Sequence, residues 1–296
     1  STPKPSSAAS DVYKRQKAQI IKIINREARR HRLLLKSEKL DSFDKELLTQ
    51  LLSRNMEEDT ITSSLQELTE LLEAHFSKKV VVLIDEYDVP LAKAYENGYY
   101  DEMILLIRNL FGNVLKTNDS LAFAVLTGCL RIAKESIFTG LNNFKVYSIT
   151  DDEFDETFGF TNKEVMEMLQ YYGLSDRFDE VKEWYDGYRF GNADVYCAWD
   201  VVNYCRDHCK NPNAELKNYW MNTSGNEIIN HFVDSLNQPG MLAKRELERL
   251  VNGETVVKRV DEMITYKELY TSIDNLWSSM FMTCLLYTSD AADEGL

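Results

Sequence analysis

The chain has 296 residues, 28% of them charged, and its 48 acidic against 34 basic side chains leave a formal net charge of −14, a surface that repels phosphate backbones and makes nucleic acid an unlikely partner for this segment. Hydrophobic residues at 44% and aromatics at 11% suffice for a core and exclude wholesale disorder and collagen- or mucin-like repeats. No apolar run approaches the roughly 20 residues that span a bilayer and no secretory leader opens the chain, so no membrane partner and a soluble, cytoplasmic protein are expected.

The two ends read as foreign to the fold. Residues 6–16, SSAASDVYKRQ, back-translate to an oligonucleotide whose reverse complement encodes CLLYTSDAAD and begins a Glu codon, which is the run from Cys284 to Glu294. Distant protein segments have no reason to be opposite strands of one oligonucleotide, whereas a sequencing adapter joined to both ends of a DNA fragment produces this. Residues 1–16 and 284–296 are therefore expected to be adapter-derived tags that lie outside the packed core or add only incidental helix. Lys17 to Thr283 is then the genuine insert, a metagenomic fragment of a longer reading frame.

Residues 17–77 place apolar side chains three and four apart: Ile20, Ile21 and Ile24; Leu47, Leu48, Leu51 and Leu52; Leu65, Leu68, Leu71 and Leu72. That spacing lines one face of a helix and predicts three amphipathic helices, uninterrupted by glycine or proline. VVVLI, Val80 to Ile84, is too short for a free-standing helix and apolar throughout, the pattern of a parallel strand buried on both faces. A helix is expected over Asp101–Lys116, then LAFAVLT from Leu121 to Thr127 as a second such strand, closed by Gly128. Strands separated by helices predict an α/β core with a parallel sheet.

Beyond Asp151 the chain turns to short segments rich in Tyr, Trp, Asp and Glu, and a mainly helical C-terminal region over 151–283 is expected. Thr161 and Glu164 form a capping box with Phe160 and Val165 as its hydrophobic staple, so a helix should start there. A strand is expected at Thr255–Lys258. Cys129, Cys197, Cys205 and Cys209 are too few and too dispersed for a disulfide framework and fit a reducing compartment. Cys205, His208 and Cys209 share a helical face, but a structural zinc site needs four ligands and no second pair is spaced for it.

The chemistry concentrates where VVVLI runs into Asp85-Glu86-Tyr87-Asp88. A buried strand ending on adjacent carboxylates is similar to the second acidic motif of P-loop NTPases, in which the first acid holds the Mg2+ shell and the following Glu orients or deprotonates the attacking water. A plain strand ending in a solvated acidic turn has the same pattern. The second strand ends on Thr127-Gly128, where nucleotide-binding sheets carry a polar residue beside the γ-phosphate, which makes Thr127 a candidate cofactor-binding residue. Arg131 and Lys134 follow, either as cations that meet developing phosphate charge or as a solvated helix face.

LIDEYDVPLAKAY, LTGCLRIAKESIFTGLNNF, FGFTNKEV, WYDGYRFG and YWMNTSGN, in this order from Leu83 to Asn226, closely resemble the AAA-ATPase-like family of bacterial proteins. The resemblance implies a P-loop NTPase-like parallel sheet core, truncated, over residues 17–150, followed by the mainly helical region. It implies ATP and Mg2+ as cofactors, Asp85 as the Mg2+-associated acid, Glu86 as the catalytic acid and Arg131 as a charged position after the sensor-like strand. It also implies a restriction-nuclease-like domain C-terminal to this segment.

The sequence departs from the family at Tyr196-Cys197-Ala198-Trp199-Asp200, where the family reads Tyr-Asn-Pro-Trp-Ser. It also contains no Gly-Lys dipeptide and hence no G-x-x-x-x-G-K-[ST] phosphate cradle, which is expected upstream of Lys17. In WYDGYRFG, Tyr185, Tyr188 and Phe190 read as core anchors and Asp186 with Arg189 as a local ion pair or loop tether. Three functions fit: an ATP-hydrolysing switch module, a non-hydrolysing nucleotide- or partner-binding scaffold, and a metal-dependent phosphoesterase using Asp85, Glu86 and Asp88. The last is weakest, because adjacent strand residues point to opposite faces.

Overall fold

A computed structural model describes residues 7–129, 144–219, 241–269, 271–283 and 286. The chain divides into two compact units, Ser1–Phe144 with Met263–Glu268, and Lys145–Glu262 with Leu269–Leu296.

The first unit opens with the expected helices, α1 Ser7–Arg30, α2 Ser42–Leu51 and α3 Glu58–Phe76, with a 3-10 turn at Arg32–Lys36. Their apolar stripes are the buried faces: Leu48, Leu51, Leu68 and Leu71 join Ala28, Leu34 and Leu40 in one core. Asp41 starts α2 by accepting from the Asp44 amide while the Asp44 carboxylate accepts from the Asp41 amide, which satisfies two donors that a helix start leaves open. At the other end of α2, buried Asn25 of α1 donates to the carbonyls of Leu51 and Ser53 at 3.4 and 3.2 Å.

The stretch before Lys17 does more than trail away. Ser7 to Gln16 continue α1 without a break, Ala9 is buried, and the Tyr13 ring meets Tyr99 at 5.9 Å. Its alanines, lysine and arginine are good helix formers, so the segment extends the helix it adjoins.

β1 Val80–Ile84, α4 Val89–Glu96, α5 Tyr100–Lys116 and β2 Leu121–Leu126 complete the first unit's main elements. β1 and β2 pair in parallel, as expected. The short helix α4 was not anticipated, although Pro90 in its first turn is a start signal. The expectation of strands buried on both faces is corrected. Val81 pairs with Phe123 and Leu83 with Val125, and these side chains are 46%, 54%, 74% and 45% exposed. α3 and α5 pack on each other and meet β1 and β2, so the alternate positions Val80, Val82 and Ile84 are half-buried. Among the described residues, the Leu83 face has no such cover.

The second unit contains β3 Phe160–Thr161, α6 Asn162–Tyr171, α7 Phe178–Tyr185, β4 Asp186–Phe190, β5 Ala193–Tyr196, α8 Ala198–Lys210, α9 Met241–Val251 and α10 Ile273–Met282. Thr161 and Glu164 form the expected capping box at the start of α6, and Phe160 packs on the core that contains Val165. The three-stranded antiparallel sheet, in the order β3-β5-β4, was not anticipated. WYDGYRFG supplies the end of α7 and all of β4, and the chain reverses at Gly191 with φ +49. A Cβ on Gly191 would lie 2.6 Å from the Asp151 carbonyl oxygen, so the turn requires glycine on two counts. Arg189 meets Asp194 across the hairpin at 3.8 Å, a partner other than the Asp186 that sequence indicated. The strand expected at Thr255–Lys258 does not form, and Val257 is 95% exposed. Alternating residues become a strand only where another strand takes up their backbone groups.

Tyr185, Tyr204 and Cys205 anchor this unit's core. The Cys205, His208, Cys209 cluster serves packing: His208 is buried with its ring nitrogens 3.0 and 3.1 Å from the carbonyl oxygens of Tyr204 and Ala214, while Cys209 is exposed.

Candidate functional site at the ends of the parallel strands

The backbone ladder continues past the strands themselves. Thr127 N–H donates to the Ile84 carbonyl at 2.9 Å and Tyr87 N–H donates to the Thr127 carbonyl at 3.0 Å. Thr127 is thereby held beside Asp85, and its hydroxyl donates to Asp85 Oδ1. Asp85 and Glu86 are both exposed, and Glu86 adopts a left-handed backbone, φ 53. A strand would send adjacent side chains to opposite faces. The left-handed backbone of Glu86 ends that alternation immediately after Asp85.

Asp88 points the other way. It is 2% exposed and its Oδ2 accepts from the Cys129 amide at 3.0 Å and from the Tyr266 hydroxyl at 3.1 Å. A β-carbon on Gly128 would sit 2.6 Å from the Tyr87 ring and 2.8 Å from Asp88 Oδ1, so this approach of β2's exit to the acidic turn requires glycine. Burial, and then the charge of Asp88, push the Tyr266 phenol well above its ordinary range. Partial burial of the Cys129 sulfur, followed by the charges of Asp88, Glu86 and Asp85, raises that thiol too, which disfavours the thiolate a nucleophile needs.

The structure thus pairs Asp85 with Thr127, and Glu86 is exposed at the next position in the chain. Arg131 and Lys134 lie outside the described residues. Asp88 is committed to Cys129 and Tyr266, and no group of three His, Cys, Asp or Glu among the described residues is placed to hold a metal ion. The phosphoesterase arrangement of Asp85, Glu86 and Asp88 as one cluster is therefore not formed. Asp88 and Tyr266 escaped sequence reading as a pair because 178 residues separate them. The local signal at Asp88 was an Asp two residues before Pro90 at a helix start, which points to a cap and not to a distant tyrosine.

The two parallel strands thus end in an acidic edge at which the Asp85 carboxylate accepts from the Thr127 hydroxyl. Residues 7–138 match the family model described as a predicted AAA-ATPase, AAA-ATPase-like. An uncharacterised protein encoded in the vnfD 5′ region of Azotobacter chroococcum mcd 1 is 30% identical over 168 residues, which cover 53% of this chain and 29% of that protein. The match thus spans less than a third of the relative's length. No solved structure matches. Among the described residues no helix is long and apolar enough to cross a membrane.

Proposed function

We propose that this chain carries the acidic edge of an ATP-hydrolysing switch protein with a P-loop NTPase-like core. The observation that supports it most is the pairing of Thr127 with Asp85 at the carboxyl edge of two parallel strands, with the Glu86 carboxylate exposed beside it. The match to predicted AAA-ATPases over residues 7–138 supports the same reading. The donor set suits Mg2+, a hard cation that takes carboxylate and hydroxyl oxygens and keeps much of its water. Asp85, with the Thr127 hydroxyl beside it, would hold that ion, which when bound neutralises charge on the β- and γ-phosphates. Glu86 orients the attacking water and accepts its proton. Arg131 is proposed to meet charge that develops only in the transition state. No Gly-Lys dipeptide stands in the sequence, so the amides that cradle phosphates are not supplied by that motif within these 296 residues.

The test compares Glu86→Gln, Asp85→Asn and Arg131→Ala in the complete gene product, using steady-state phosphate release and Mg2+·ATP titration. Glu86→Gln should abolish release and retain ATP, because the amide keeps the shape and cannot take a proton. Asp85→Asn should also weaken Mg2+-dependent binding. Arg131→Ala should slow release more than it weakens binding. Wild-type release by Glu86→Gln would remove the central residue of the hydrolytic reading. A scaffold that binds nucleotide or a partner without turnover would then be the reading that stands.

A further inference from the structure

The Met263–Glu268 segment belongs to the first compact unit, whereas the chain on both sides of it belongs to the second. Several contacts fasten the segment there. The Tyr266 ring stands 6.4 Å from Tyr100, Lys267 pairs with Asp101 at 2.7 Å, and the Tyr266 hydroxyl reaches the Asp88 carboxylate at 3.1 Å. The first is packing and the second is an exposed ion pair of small energetic weight. The third differs from both, because its acceptor is a buried carboxylate that also accepts from the Cys129 amide. Asp88 begins α4, immediately after the turn that carries Asp85 and Glu86, and Cys129 stands two residues beyond Thr127. One carboxylate therefore joins three separate stretches of chain: the acidic turn, the exit of β2 and the 263–268 segment.

We infer that Tyr266 is a positioning residue for the candidate site, a latch that holds Asp88 in the orientation that fixes the Thr127–Cys129 turn against Asp85. Hydrogen bonds to a buried carboxylate are the strong kind, and a carboxylate that loses one of them can turn toward water or other donors and loosen its hold on the Cys129 amide. Gly128 makes the arrangement sensitive, since Tyr87 and Asp88 lie against its α-carbon and a small shift of Asp88 changes the path of the turn. Tyr266 donates while it is protonated, as a phenol is through the neutral range, and the rise in its phenol extends this into alkaline pH. In its consequence for turnover this inference rests on the ATPase reading; its structural test does not.

The experiment is amide hydrogen–deuterium exchange of the 296-residue chain, read at the Cys129 amide, in Tyr266→Phe, Asp88→Asn and Lys267→Ala. Tyr266→Phe keeps the ring against Tyr100 and removes only the hydroxyl. It should speed exchange at Cys129 by about tenfold or more, the scale on which loss of a hydrogen bond to a charged group acts, while α3 and α5 keep wild-type protection. Asp88→Asn should speed exchange at the same amide. Lys267→Ala, which removes the exposed pair and the ammonium over the Tyr100 ring but leaves the Tyr266 hydroxyl on Asp88, should leave it unchanged. Wild-type exchange in Tyr266→Phe, or equal acceleration in Lys267→Ala, would overturn the latch. In the complete gene product Tyr266→Phe should lower kcat for phosphate release and leave KM for ATP unchanged; a change confined to KM would overturn the positioning role. If the unaltered protein releases no phosphate, the ATPase reading falls and the exchange result decides the latch alone.

Discussion

Thr127 donates its hydroxyl to the carboxylate of Asp85 across the ends of two parallel strands. The bond is made by side chains, but two backbone hydrogen bonds set its geometry, from Thr127 N–H to Ile84 and from Tyr87 N–H to Thr127. Thr127→Val keeps the shape and the ladder and deletes the donor. Because Asp85 is exposed, the stability change should stay within about 1 kcal/mol, read as a shift in the urea midpoint. Mg2+-dependent ATP binding by the complete gene product should weaken, since one of two oxygen groups on that side is gone. Unaltered binding would remove Thr127 from the site.

Gly128→Ala tests how tightly β2's exit is packed on the acidic turn. The added carbon would meet the Tyr87 ring at 2.6 Å and Asp88 Oδ1 at 2.8 Å. Overpacking of this kind costs roughly 1–3 kcal/mol, measured by chemical denaturation. The structure makes the same substitution at Gly98 informative as a contrast: nothing lies within 4 Å there, and the cost comes instead from its backbone, φ +74. Gly128→Ala should therefore perturb the tyrosine signals around Asp88 in an NMR spectrum, and Gly98→Ala should not.

Alkaline pH should unfold the second unit. Burial pushes the Tyr185 phenol up to about 12, and burial is also the leading cause of the rise in Tyr196, Tyr204 and Tyr219. In the unfolded chain these phenols titrate near ~10. Their folded values lie higher, so the fold favours the neutral form, and the stability tied to it is fully present below ~10 and lost as pH rises through the folded values. Tyrosinate absorbance should show an early phase from exposed residues such as Tyr171, 83% exposed. A later phase should coincide with loss of helical circular dichroism. Complete tyrosine titration with full helical signal would contradict this.

Much of the candidate site was legible because its signals are local. VVVLI and LAFAVLT mark their own limits, and the carboxylates and Thr127 follow directly at the ends of those runs. The capping box at Thr161 and Glu164 is equally local, since both halves lie within one helical turn. What escaped is non-local or hidden by composition. An apolar run reports that a strand forms but not which faces its neighbours cover, so the exposure of Leu83 and Phe123 had no sequence signature. In WYDGYRFG the two glycines read as turns, and pairing with β5, not propensity, makes β4 a strand. The Asp88–Tyr266 contact joins residues with no pattern between them.

The backbone of Glu86 has a consequence of its own. A residue with a β-carbon at φ 53 is held in a left-handed conformation that costs roughly 1–2 kcal/mol, and glycine would relieve most of it. Glu86→Gly should accordingly raise the melting temperature even though it deletes a charged side chain and loosens the unfolded chain. A position at which the most stable residue is not the one present is where a trade between thermostability and activity is to be sought. If Glu86→Gly melts higher and releases no phosphate in the complete gene product, the strained turn and the reactive carboxylate are one feature, and this chain forgoes stability to keep it.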